Sequence, residues 1–300
     1  MKQRQTKSKA FTLIELLVVV FVLALLISIL VPAVRKAKRS AMSIISRVNQ
    51  RQTVTGTLCY GSDENGRFPE SVATLGTGTR WSWREPTVLT GFQKRSPTIY
   101  RSVSQYLRPY LESAPTLFCP SSPTKYDYMN EAWLAGDAWD NPDPGTALED
   151  PLFGNYCLYW NYIGYFEDKG IPFIGPRTSS GRNGESKLLI SDYFGYGHWR
   201  NELTYGSRQA WGSCEKLPSS GITVGTSVAC DFWSRYSSDQ QIPLEALDTK
   251  LNAGYVDGHV ESYSPADTVI MKISMKPDGT VPYPDDISPG GIFYLPRNSW

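Results

Sequence analysis

Several side chains in this sequence are of the types that acid–base or metal chemistry uses. The histidines are His198 and His259, and Asp192 lies six residues before the first of them. A serine–histidine–aspartate relay also needs an exposed nucleophile, but the chain has no G-x-S-x-G turn. It has no HExxH motif and no Cys/His cluster of the kind that holds zinc. We therefore expect no enzyme activity, no catalytic residue and no cofactor.

Two pairs of polar residues remain as weak metal candidates. Asp63 and Asn65 offer oxygen ligands of the kind that Ca²⁺ prefers, but no glutamate follows at the calcium-loop spacing, which favours a solvated turn. Asp257 and His259 would share one side of a strand, since side chains two apart point the same way. On a tight turn they would instead form an ordinary polar pair. We expect no metal site at either place.

Glu15 is the most unusual carboxylate, because it is the one charge in an apolar run from Phe11 to Val34. About 20 apolar residues are enough for a helix to span a bilayer. A carboxylate inside such a helix costs about 2.5–3.5 kcal/mol, so it needs a partner. The run is too long for a secretory signal peptide, and no Ala-x-Ala site follows it. A basic segment precedes it, which predicts a cytoplasmic N-terminus and an external C-terminal part; its cations are Lys2, Arg4, Lys7 and Lys9.

The stretch Ala10-Phe11-Thr12-Leu13-Ile14-Glu15 resembles the processing motif of type IV prepilins and type II secretion pseudopilins. The resemblance implies that a prepilin peptidase cuts between Ala10 and Phe11 and that Phe11 is then N-methylated. It implies that Glu15 pairs with the N-terminal amine of an adjacent subunit in the inner membrane. Pro32 matches the proline that kinks the helix in many members. Ala10 departs from the family, which usually has glycine before the cut.

A second resemblance is to the large H-x9-DG pseudopilins common in Planctomycetes, Verrucomicrobia and Lentisphaerae. Its members share a post-helix loop, an FxCP step and a C-terminal Asp-Gly hairpin. Leu247 stands where those proteins have histidine, so the resemblance does not imply a metal or catalytic role there. The matching positions here are 60–69, 117–120, Asn252, Tyr255, Asp257, Gly258, His259 and Val260.

The periodicity predicts an α+β fold in which a long N-terminal helix packs on an antiparallel β-sheet head. We expect a leader at 1–10, a transmembrane helix at 11–34, a helix continuation at 35–58 and an extracytoplasmic head at 59–300. Gly56 or Gly61 is the expected stop. The apolar residues of the continuation recur at helical spacing and are expected to face the head; they are Ala37, Ala41, Ile44, Ile45, Val48 and Leu58.

Further elements follow from local patterns in the head. Ser102–Leu111 is expected to be a short helix, and 117–120 an apolar strand end followed by a turn. Strands are expected within Cys157–Tyr165 and at Lys187–Ser191. Asp257-Gly258 between alternating runs predicts a hairpin. Segment 221–231 is ambiguous, and 136–154 is expected to be a surface loop.

Composition limits the classes of function. The 300 residues are 41% hydrophobic with a net charge of +1, and loss of the basic leader would leave −3. That charge excludes a basic nucleic-acid-binding surface. The cysteine count is odd, and the sequence leaves open whether any of the five forms a disulfide; they are Cys59, Cys119, Cys157, Cys214 and Cys230.

These patterns predict a structural role. The chain is expected to be a pseudopilin, the subunit of a type IV pilus-like or type II secretion filament. The alternative is a single-span anchored binding protein, whose nine tryptophans and eighteen tyrosines would hold glycan or protein without polymerising.

Overall fold

The computed structural model describes most of the N-terminal helix and much of the head. Two compact units are present, residues 1–42 and residues 43–300. The residues that the structure describes are 12–73, 86–91, 101–120, 152–154, 156–166, 171–196, 223–224, 227–228, 250–273 and 292–299.

Helix α1 spans Leu13–Asp63 and is continuous through Pro32. It passes both Gly56 and Gly61, so both expected stops are wrong, although the helix ends two residues after Gly61. The helix ends where Asn65 and Gly66 take left-handed backbone angles, with φ of 55° and 82°. Such residues commonly close a helix, because they let its last carbonyls accept hydrogen bonds from the turn that follows.

The head adds one short helix and many short strands. Helix α2 is Val103–Leu107, and Ser102 caps it through a reciprocal bond pair with Gln105. The strands are β1 (Val88–Gly91), β2 (Arg101–Ser102), β3 (Leu152–Phe153), β4 (Tyr156–Leu158), β5 (Ile163–Phe166), β6 (Ile171–Ile174), β7 (Leu188–Asp192), β8 (Gly195–Tyr196), β9 (Thr223–Val224), β10 (Ser227–Val228), β11 (Leu251–Tyr255), β12 (Val260–Tyr263), β13 (Thr268–Ile273) and β14 (Ile292–Pro296).

All described strand pairs are antiparallel. One sheet has the order β12-β11-β7-β4, and a second has β6-β5-β13-β14-β8. A smaller sheet has the order β2-β1-β3, and β9 pairs with β10. The long helix followed by antiparallel sheets confirms the predicted α+β class.

The part of α1 in the second unit packs on the β12-β11-β7-β4 sheet through polar and small side chains. Ser46, Gln50, Thr53, Val54 and Thr57 are all fully buried. We predicted that the apolar residues of this segment face the head. That prediction is wrong for three aliphatic residues, which lie on the side of the helix away from the sheet. Those are Ile44, Ile45 and Val48, and all three are exposed. Leu58 does pack against the core.

A glycine allows this close approach of helix and sheet. A Cβ on Gly254 of β11 would lie 2.7 Å from Val54 Cγ2 and 2.9 Å from Ile190 Cγ2. Real Cβ atoms do not approach side chains so closely, so a larger residue here would push the helix off the sheet.

Most local predictions in the head are confirmed. Helix α2 lies within the predicted segment, β7 matches 187–191, and β11 and β12 form the predicted hairpin. The run 157–165 contains two strands, β4 and β5, separated by a turn. The predicted strand end at 117–120 is wrong, because Ala114–Leu117 is a 3₁₀ helix. Pro115 sits at its start, where its fixed φ is tolerated.

The described cysteines are thiols rather than disulfide halves. Cys59 is exposed, whereas Cys119 and Cys157 are buried in the core. Cys214 and Cys230 lie outside the described residues, and so does the part of the expected surface loop 136–154 that precedes residue 152. The end of that predicted loop is wrong, because Leu152–Phe153 forms β3 and pairs with β1.

Candidate functional site

Thr12 and Glu15 close the first turn of α1 on each other. Thr12 N donates to Glu15 Oε2 at 2.9 Å, and Glu15 N donates to Thr12 Oγ1 at 3.2 Å. The Thr12 hydroxyl also donates to Glu15 Oε2, at 2.8 Å. This reciprocal pair is a capping box, which satisfies backbone N–H groups that have no partner within the helix.

The capping box is compatible with cleavage before Phe11. A cut between Ala10 and Phe11 would leave Thr12 N as an amide, so its bond to Glu15 would remain. Both hydrogen bonds that Glu15 accepts from described residues go to its Oε2 atom, and no described residue donates to Oε1. Ala10 and Phe11 themselves lie outside the described residues.

The part of α1 that follows Glu15, residues 16–31, is exposed and apolar except for Ser28. Every large aliphatic or aromatic side chain from Leu16 to Val31 is at least 40% exposed. In the described part of the chain, α1 is the helix that is long and apolar enough to cross a membrane. Exposure of so many apolar side chains is expected for a segment whose solvent is lipid.

In the head, the buried face of α1 is held by hydrogen bonds to two strands. Gln50 Nε2 donates to Asp192 Oδ1 on β7 at 3.1 Å. Ser46 Oγ and Tyr156 OH on β4 are 2.7 Å apart. Burial raises the pKa of Tyr156 well above its ordinary value, so its hydroxyl remains neutral. These bonds fix the position of the helix along the sheet.

Asp192 extends this network into the neighbouring strand. It is fully buried, and its Oδ2 accepts hydrogen bonds from Asn252 N at 2.7 Å and Asn252 Nδ2 at 3.0 Å. Ser262 Oγ on β12 donates to Asn252 Oδ1 at 2.7 Å. One carboxylate therefore joins α1, β7 and β11. The sequence marks Asp192 only as the residue after the predicted strand Lys187–Ser191 and as an acid six residues before His198. Its spacing from Gln50 and Asn252 gives no local signal of the contact.

Asp63 and Asn65, the weak metal candidates, lie at the end of α1 and in the turn that follows it. Asp63 Oδ2 accepts a hydrogen bond from Tyr110 OH at 2.6 Å, which raises the pKa of Tyr110 to about 12. Asn65 takes a left-handed backbone conformation in the turn that ends the helix. In the described part of the chain, no three acidic, histidine or cysteine side chains group in a way that would hold a metal ion.

Asp257 and His259 come together as a polar pair at the hairpin turn. The His259 ring and its backbone N–H both bond to Asp257 Oδ1. Partial burial raises the pKa of Asp257, but the bonds from His259 outweigh it and leave that pKa below its ordinary value. The His259 ring stacks on Tyr255 with centroids 4.5 Å apart. His198 and Leu247 lie outside the described residues.

Comparison with known proteins gives one match. The model of the prokaryotic N-terminal methylation motif matches residues 5–31. No curated protein and no solved structure matches the chain. The motif indicates processing of the type IV pilin and pseudopilin kind, and it points to a structural protein rather than an enzyme. It implies a prepilin peptidase and other pilins as partners, and the apolar helix is consistent with membrane anchoring.

Proposed function

We propose that this protein is a pseudopilin, a structural subunit of a type IV pilus-like or type II secretion filament that is assembled from the inner membrane. The observation that carries the proposal is the coincidence of the methylation motif at 5–31 with Glu15 in the first turn of an exposed apolar helix. A helix that only anchors a protein in the membrane gains nothing from a carboxylate at that position, since the charge raises the free energy of insertion.

In the proposed mechanism, prepilin peptidase cuts between Ala10 and Phe11 on the cytoplasmic side. The new amine of Phe11 is methylated but keeps its positive charge. Glu15 Oε1 then accepts this amine from a neighbouring subunit, while Oε2 stays with Thr12. The ion pair offsets the cost of a carboxylate in lipid and sets the axial offset between neighbours. Pro32 is the proposed kink, and the heads face outward.

The C-terminal hairpin supports a finer assignment to the H-x9-DG group. Asp257, Gly258 and His259 form its turn, with Gly258 at φ 89°, and Asn252 bonds to the buried Asp192. In this chain we propose that the motif is a structural element that closes the hairpin and joins it to the strand beside it.

The test is a comparison of Glu15→Ala with the unaltered chain in cells that have an active prepilin peptidase. We expect normal processing of the variant but no filaments, because the amine of the neighbour has no acceptor. Leu16→Ala, one position away in the same helix, is the matched control and is expected to assemble. Filaments of normal yield from Glu15→Ala would remove the pairing mechanism. A processed chain that stays in the membrane after shearing would favour an anchored binding protein.

A further inference from the structure

The head carries an exposed apolar and basic strip on α1. Ile44, Ile45 and Val48 are 59%, 47% and 48% exposed, and Arg47 and Arg51 are exposed beside them. At about 100° per residue, these aliphatic side chains lie opposite the face that packs on the sheet. None of these three aliphatic side chains belongs to the buried core that the described residues of the head form.

The charge of α1 restricts what can cover the strip. Between Glu15 and Asp63 the sequence contains six basic residues and no acid. Two strips facing each other would bring arginines together without any carboxylate to offset them, which is unfavourable. The remainder of the mature chain is acidic, because residues 11–62 carry a net +5 whereas residues 63–300 carry −8. A complementary surface is therefore available on the head of a second copy.

The described surface with the matching chemistry lies at the far end of α1. Tyr60 and Tyr110 pack edge to face with ring centroids 6.1 Å apart, and Tyr110 bonds to Asp63. Partial burial raises the pKa of Tyr60, and the negative charges of Glu64 and Glu70 raise it further. Asp63, Glu64 and Glu70 are exposed. We call these five residues the acidic aromatic patch.

We propose that the strip formed by Ile44, Ile45, Val48, Arg47 and Arg51 binds the acidic aromatic patch of a second copy of this chain. Arginine pairs with carboxylates and stacks on tyrosine rings, and the aliphatic residues lose water against the same rings. This inference rests on the proposed function, because it names a contact between neighbouring subunits of the same assembly.

The two surfaces are different, so the contact is head-to-tail rather than two-fold symmetric. Arg47 and Asp63 are separated by sixteen residues, which is about 24 Å of helix rise. A contact between such separated surfaces repeats with an axial offset and produces an open filament rather than a dimer.

The test uses the full-length chain in cells that process it, with a photo-crosslinking phenylalanine analogue in place of Ile45. Mixed isotope labelling identifies crosslinks between copies. We expect a crosslink from tryptic peptide 40–47 of one copy to peptide 52–67 of another. A crosslink from 40–47 to 40–47, to phospholipid or to a different protein would overturn the proposal.

Charge exchange gives an independent measure of the same contact. Arg47→Glu with Arg51→Glu, and separately Glu64→Lys with Glu70→Lys, should each lower the yield of crosslinked copies about tenfold, equivalent to about 1.4 kcal/mol. This yield is measured on the intact crosslinked protein, because the substitutions change the tryptic sites. Coexpression of the two variants should restore it, because the reversed strip of one then meets the reversed patch of the other. Arg182→Glu with Lys187→Glu makes the same change in net charge as the Arg47/Arg51 variant, but elsewhere on the head, and should have no effect. Absence of recovery would overturn the proposal.

The N-terminus of the chain is determined in every sample. If Phe11 is not the mature N-terminus, the proposed function itself fails. If Phe11 is mature and Glu15→Ala abolishes assembly, but the crosslink from position 45 maps elsewhere, then only the strip-and-patch contact is wrong.

Discussion

Gln50 of α1 donates a hydrogen bond to Asp192 of β7 at 3.1 Å, and both side chains are fully buried. The bond joins residues 142 positions apart in the sequence. Because Asp192 also accepts hydrogen bonds from Asn252, it holds the helix and two strands in one arrangement. The surrounding contacts of α1 are made by small polar side chains, which alone would specify that arrangement less strongly.

Replacing Asp192 by alanine is expected to destabilise the head by about 3 kcal/mol, because the buried donors of Gln50 and Asn252 lose their acceptor. Gln50→Leu should cost only about 1 kcal/mol, since Asp192 keeps its bonds from Asn252. Urea unfolding of the full chain in detergent measures both. Equal losses for the two variants would show that Asp192 does not join the helix to β11.

Gly254→Ala is expected to cost about 1–3 kcal/mol, because its Cβ would overlap Val54 and Ile190. Val54→Ala removes the closer contact, so the double variant Gly254→Ala/Val54→Ala should be more stable than the sum of the two single losses predicts. The same unfolding measurement applies. Strict additivity would mean that the two residues do not approach each other as closely as the structure shows.

The hydrogen bond between Asp63 and Tyr110 should make the free energy of unfolding of the head depend on pH in the alkaline range. The pKa of Tyr110 is raised to about 12, above its ordinary value near 10, so the protonated form is favoured by folding. The contribution is fully present below pH of about 10 and is lost as the pH rises through about 12. The stability difference between the unaltered chain and Tyr110→Phe should therefore shrink across that interval.

The chain contains other tyrosines that also titrate at alkaline pH, so a matched variant is needed. In Asp63→Asn the hydroxyl can still bond to residue 63, but the negative charge is gone. The tyrosinate difference absorbance between this variant and the unaltered chain should show one tyrosine whose pKa has moved down toward its ordinary value. An unchanged titration would contradict a charged partner for Tyr110.

Thr12→Ala is expected to loosen the start of α1, because the N-cap side chain contributes about 1 kcal/mol. Amide hydrogen exchange of Glu15 and Leu16, whose N–H groups bond to Thr12 Oγ1 and to the Thr12 carbonyl, should become about fivefold faster in detergent, as about 1 kcal/mol of local stability predicts. Thr12→Ser keeps the hydroxyl and should behave like the unaltered chain. Equal exchange in the alanine and serine variants would rule out the capping box.

The features predicted correctly from the sequence are those with local signals. The apolar run and the motif around Glu15 required no knowledge of the fold. The hairpin at Asp257-Gly258 follows from turn chemistry, and α2 begins at a serine that caps it. Each of these is decided within a few residues, where propensity and hydrogen bonding act together.

The features that sequence reasoning missed depend on distant contacts. Helical periodicity identifies two faces of α1 but does not say which one meets the sheet. The polar face is buried because its side chains find hydrogen-bond partners in the sheet. Asp192 accepts a hydrogen bond from Gln50, and the hydroxyl groups of Tyr156 and Ser46 bond to each other. The assumption that the more apolar face of a helix is buried therefore gave a wrong prediction for Ile44, Ile45 and Val48, which are exposed.

The most direct test of the central claim is the N-terminal mass spectrum of the chain recovered from the sheared extracellular fraction. The proposal predicts a chain that begins at N-methylated Phe11, with the ten leader residues absent. A chain that still begins at Met1 and remains in the membrane pellet, in cells with an active prepilin peptidase, would contradict it.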